Sequence, residues 1–180
     1  MATARVDHGG MRRLAVLLVL AGLICATAAA APPLPRKVDL LKAFAARLPK
    51  VKETTTVPVL LPRTLPLGGT YRLYSSASAT RGSYLLSLAG APNCRGANAC
   101  FVAAFEGKRG GRLPGKKNVR LAGGDPAIFH LFSCGGSCSP TSFWFTHDGV
   151  LYSWQVKDLP KGERAILIRM ANEAIAAGPR

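Results

Sequence analysis

The dipeptide Asp148-Gly149, set between the aromatic runs at residues 143–147 and 150–155, constrains this chain more than any other feature. A two-residue hairpin turn of type I′ needs positive φ at both central positions, which Asp and Gly tolerate. A turn there pairs His147 with Val150, Phe145 with Tyr152 and Phe143 with Trp154. Side chains alternate across a strand, so Phe143, Phe145, Val150, Tyr152 and Trp154 share one face. Trp144, Thr146, Leu151, Ser153 and Gln155 share the other. One face is almost wholly apolar and the other mixed, as in an antiparallel sheet with one side on a core. The aromatic stripe is expected to pack into that core, with a ligand platform as the alternative.

The N-terminus reads as an export signal at residues 1–30. Arg12 and Arg13 precede an apolar run at 14–24, followed by small residues through Ala31. That order is the order of a secretory signal peptide, and the run is short for a membrane span. Cleavage is expected after Ala28 or Ala30, and Met11 is an alternative start. Cys25 raises a lipoprotein reading, but Ile24 stands where lipid attachment wants a small residue. Removal of Arg5, Asp7, Arg12 and Arg13 takes the net charge from +15 to +13. Such a surplus favours contact with anionic surfaces.

Beyond the signal, residues 31–56 read as a flexible or partly helical segment, and 57–180 as a single β-rich domain. Asp39 caps a short expected helix at 39–48, with Leu41, Phe44, Ala45 and Leu48 on one stripe and Lys42, Arg47 and Lys50 beside it. Such a helix docks on the domain or lies on a membrane. Residues 52–56 read as a linker. Pro58, Pro62 and Pro66 exclude regular structure at 57–69. Strands are expected at 70–79, 83–89, 101–106, 118–122 and 127–132. The stretch 107–117 reads as a loose hairpin connection carrying Lys108, Arg109, Arg112, Lys116 and Lys117. Ile166, Leu167, Met170, Ala171, Ala174 and Ile175 recur at helical spacing within 163–176, before the natural stop Gly178-Pro179. The fold class is therefore α+β: an antiparallel sheet of about six to seven strands with a C-terminal helix packed on one face.

Four cysteines follow the signal, Cys94, Cys100, Cys134 and Cys138. An even number in an exported chain implies disulfides. The local pairing Cys94 to Cys100 and Cys134 to Cys138 is preferred, because each pair brackets a loop of small residues that turns tightly. A four-thiolate zinc site is the rival, and the spacing of Cys94 and Cys100 does not suit it. No metal and no cofactor are expected.

Catalytic patterns are weak. His147 and Asp148 are adjacent in the turn, and neighbouring strand residues point to opposite faces, which disfavours a His–Asp relay. His130 lies in an apolar run and reads as a sheet residue. There is no G-x-S-x-G elbow, no evident carboxylate pair and no phosphate-loop glycine pattern.

From residue 57 onward, PVLLPRTLP, WFTHDGVLYSW and LIRMANEAI resemble the pattern P-x-x-L-P, W-x-x-x-G-x-x-Y, L-x-x-I-A-x-S-I. That pattern belongs to a bacterial domain of unknown function in exported proteins and lipoproteins, also found at the C-terminal end of anti-sigma-factor-like proteins. The resemblance implies a bacterial source and a sheet with a C-terminal helix, and it carries over no functional residue. The two cysteine pairs and the basic stretch depart from it. The expected protein is a monomeric, non-enzymatic domain of the cell envelope, exported, with no transmembrane helix once the signal is cleaved. An alternative is a module that binds an anionic lipid or cell-wall polymer through the five basic residues. A second is a small exported enzyme. No specific nucleic acid is expected as partner.

Overall fold

A computed structural model describes residues 36–69, 72–94, 97–135 and 138–180. The expected signal at 1–30 and Cys25 lie outside the described residues. The described chain opens with β1 (Arg36–Asp39), inside the segment expected to be flexible or partly helical. Asp39 caps α1 (Leu40–Ala43), its carboxylate accepting the Lys42 amide at 3.0 Å. The single helix expected over 39–48 is two pieces. The chain turns at 44–47 and restarts as α2 (Leu48–Thr54), with Pro49 in its first turn. Proline has no N–H to continue a helix, and its ring clashes with the carbonyl four residues back. α2 also takes in most of the linker expected at 52–56.

β2 (Thr64–Leu67) lies inside the stretch expected to be irregular, and pairs antiparallel with β1. Pro66 is tolerated because a two-stranded ribbon bonds each strand on one side only, so a donor missing from the open side loses no ladder bond. The N-terminal segment is part of the core. Leu40, Phe44, Leu61, Leu65 and Leu67 are fully buried, and the Phe44 ring meets Phe105 edge-on at 6.5 Å. The domain start expected at Val57 therefore falls inside one packed unit, which spans Pro33–Arg180.

The main sheet follows: β3 (Tyr74–Thr80), β4 (Ser83–Ala89), β5 (Phe101–Arg109), β6 (Val119–Arg120) and β7 (Pro126–His130). A small separate hairpin, β8 (Ser133–Cys134) and β9 (Cys138–Ser139), leads to β10 (Thr141–His147) and β11 (Val150–Val156). α3 (Glu163–Ala177) closes the fold. The seven strands run in the order β3-β4-β5-β11-β10-β7-β6, every neighbour antiparallel. β10 and β11 pair in the register the turn dictates, with Phe143 opposite Trp154 and His147 opposite Val150. Asp148 and Gly149 take φ of 48° and 73°, the left-handed pair that a type I′ turn requires.

One face of this sheet is the core. Tyr84, Leu86, Phe105, Phe143, Phe145, Tyr152 and Trp154 are buried on it. Phe145 stacks on Tyr152 at 5.0 Å and meets Trp154 edge-on at 5.2 Å. Each such ring gains roughly 1.5–3 kcal/mol by leaving water. α3 buries Ile166, Leu167, Met170, Ala171 and Ala174 in the same cluster. The other sheet face holds shorter, more polar side chains.

Candidate functional site

Both disulfides form in the local pairing. Cys94 joins Cys100 with a Cα separation of 5.7 Å, and Cys134 joins Cys138 at 4.1 Å. The first closes the loop between β4 and β5, and the second staples β8 to β9. The two meet through Asn98, whose amide donates to the Cys138 carbonyl at 3.3 Å. Bridges of this kind persist in a non-reducing environment. With all four sulfurs bonded, none is a thiolate ligand. Among the described residues no group of three or more His, Cys, Asp or Glu is placed to hold a metal ion.

The five basic residues of 107–117 do not form one loose tip. β5 runs through Arg109, so Lys108 and Arg109 are strand residues on opposite faces. The Arg109 guanidinium donates to the Thr56 carbonyl at 2.7 Å and ties α2's exit to the sheet. Leu151, one strand over, explains why the strand runs on: it pairs with Lys108, and a Cβ built on Gly111 would stand 2.7 Å from it. Gly111 thus lies flat on the outer face. Gly115 passes over Ile128, which is fully buried yet outside the main core cluster. Arg112, Lys116 and Lys117 are exposed along this strap.

Sequence reasoning missed the partner of His147. Its Nδ1 lies 2.6 Å from Asp125 Oδ2 and its Nε2 lies 3.5 Å from Asp148 Oδ2. Asp125 precedes β7, and pairing of β7 with β10 brings it alongside. Asp125 thus holds Nδ1, while Nε2 stands near the exposed Asp148 carboxylate. His130 is exposed, with its ring edge-on to Trp144 at 5.2 Å.

A second feature missed from sequence is apolar. Leu131 is 60% exposed and Phe132 50% exposed, at the exit of β7. Leu131 lines a shallow depression with Phe129, Ile168, Lys161 and Arg164. Arg164 donates to the Asn118 carbonyl at 2.6 Å, which brings the Lys116-Lys117 end of the strap to the same edge. Glu163 lines the same depression, its carboxylate bonded by the Thr141 hydroxyl. The only signal in the sequence was the dipeptide Leu131-Phe132 just before a cysteine loop, which reads equally well as strand.

No family model, curated protein or solved structure matches this chain. No helix among the described residues is long and apolar enough to cross a membrane.

Proposed function

We propose that this chain is a non-enzymatic domain of the cell envelope, exported from the cytoplasm, that docks on an anionic lipid surface. The observation that carries the reading is exposed Leu131, beside Lys161, Arg164 and the Lys116-Lys117 end of the strap, followed in the chain by exposed Phe132. The resemblance to exported bacterial domains of unknown function belongs to the same proposal. The disulfides support a site outside the reducing cytoplasm.

The apolar pair favours lipid over a charged wall polymer, because only a bilayer offers it an apolar layer. Burying the exposed parts of Leu131 and Phe132 would gain about 2 kcal/mol. Each cation near an anionic leaflet adds about 1 kcal/mol. Attachment should therefore be reversible, with an affinity between about 1 mM and 1 µM, and weakened by salt.

Cosedimentation with vesicles tests this. The protein should pellet with vesicles containing anionic phospholipid at low salt and stay in solution with zwitterionic ones. Replacing Leu131 and Phe132 together by Ser should weaken binding by about 2 kcal/mol, roughly thirtyfold. Lys116, Lys117 and Lys161 changed to Gln should weaken it further and flatten its salt dependence. Equal binding to zwitterionic vesicles, or an indifferent Ser double variant, contradicts the proposal.

A further inference from the structure

The outer sheet face carries a trough that runs across the strands. The registers align Ser76, Ser87, Ala104, Gln155, Ser142 and His130 as one row over six strands. These residues form a floor of mostly short side chains. The next row holds Leu85, Glu106 and Trp144, which stand taller on one side. Tyr74, Phe101, Asn93, Cys94 and Asn98 stand on the other. The resulting cavity is about 720 Å³. It continues into a second of about 530 Å³ that shares Gln155 and Pro140 and ends at His130 and Trp144. Six strands about 4.8 Å apart make the floor roughly 24 Å long.

Its chemistry is unlike the rest of this basic chain. Among the described residues lining the larger cavity, Glu106 is the only charged one. Arg72 and Lys157 border it without lining it: Arg72 sits 5.6 Å over the Tyr74 ring, and Lys157 donates to the Asn98 carbonyl. Among the described lining residues this carboxylate stands without a cation, which disfavours anionic polymers. Ser76, Ser87 and Gln155 offer hydroxyls and a carboxamide, groups that both donate and accept, whereas Ser142 is buried and donates to the Pro140 carbonyl. Backbone groups of β4, β5, β11 and β10 are taken up by ladders on both sides, while β3 is the edge strand and pairs only with β4. A peptide lying across the four inner strands would find no main-chain partners there, since peptide addition to a sheet needs an open edge, and of the floor's first five strands only β3 has one. A sugar chain needs none. Its hydroxyls pair with side-chain hydroxyls and amides, and its C–H faces stack on rings such as Tyr74 and Trp144.

We propose that this trough binds an uncharged glycan chain of about four to six sugar units, the length that spans roughly 24 Å. The site goes beyond the lipid-docking reading and does not depend on it.

Calorimetric titration with the N-acetylglucosamine pentamer and with cellopentaose tests the site, using a heparin oligosaccharide and an unstructured peptide as controls. At least one neutral pentamer should bind, and both controls should fail. Ser87→Leu fills the floor and Gln155→Ala removes its amide, so each should weaken binding about tenfold or more while both disulfides and the melting temperature persist. Should Ser87→Leu not fold, Gln155→Ala and Tyr74→Ala give the same reading. Vesicle binding should be unchanged in these variants. Binding of neither pentamer, preference for heparin or the peptide, or undiminished binding by folded variants would overturn the proposal.

Discussion

At the scale of single residues, Gly107 shows how tightly the core face is fitted. It is buried in β5, opposite Tyr84 and Tyr152, and a Cβ built there would lie 2.4 Å from the Tyr84 ring. The ring lies across the glycine and bonds the Leu60 carbonyl at 3.3 Å. Gly107→Ala should therefore cost about 1–3 kcal/mol, read as a lower melting temperature, and Tyr84→Ala in the same chain should relieve most of the clash. A fully stable Gly107→Ala protein would contradict this packing. The same two tyrosines set the alkaline limit. Burial, then Tyr152 nearby, raises the Tyr84 phenol well above its ordinary range. Burial first, and Asp148 second, pushes Tyr152 up to about 12. In the unfolded chain both lose their protons near pH 10. The stability they contribute is thus complete below about pH 10; the part from Tyr152 is lost as pH rises through about 12, and the part from Tyr84 also declines above pH 10. Phenolate absorbance from these two should appear only with unfolding, and Tyr152→Phe should flatten the alkaline fall in melting temperature. Ionisation of every tyrosine ahead of unfolding would refute it. None of this was legible in the sequence, where Gly107 reads as the start of a loop, and the Asp125–His147 contact was hidden because strand pairing alone brings the two together.

At the scale of elements, legibility followed the range of the interactions that decide each one. The Asp148-Gly149 hairpin, the strand at 83–89, the terminal helix and both short disulfides are specified by neighbours in sequence, and all stand where expected. The segment before the sheet was misread because its structure is settled at long range. β1 exists by pairing with β2 across 24 intervening residues, whereas the apolar stripe of 39–48, expected to dock on the domain or lie on a membrane, does dock, on Phe105 and the core. Phe44→Ala tests that directly. If α1 is part of the core, truncation should cost about 3–5 kcal/mol and shift the whole unfolding transition. A transition unchanged from the wild type would return the segment to an independent appendage. The strand β5 overran its expected end because Lys108 and Arg109 still pair with β11; charge and glycine content signal a loop only when no partner strand is waiting.

At the scale of the whole molecule, one sheet face is buried under the N-terminal segment and α3, and the other is open. Function, on this reading, sits on what that layering leaves exposed: an apolar and basic edge at Leu131 and Phe132, and a polar trough on the open face. Neither surface was visible in the sequence. The edge joins residues of β7's exit, the strap and α3, and the trough joins small residues from six strands. The basic stretch drew attention instead, since charge is local and a surface is not. Hydrogen exchange with and without anionic vesicles locates the docking surface in one measurement. Amides around 129–134 and 159–166 should be protected when vesicles are present, while 74–89 and 101–106 exchange as in the free protein. Protection confined to 110–117, or none beside pelleting vesicles, would contradict docking through the Leu131-Phe132 edge.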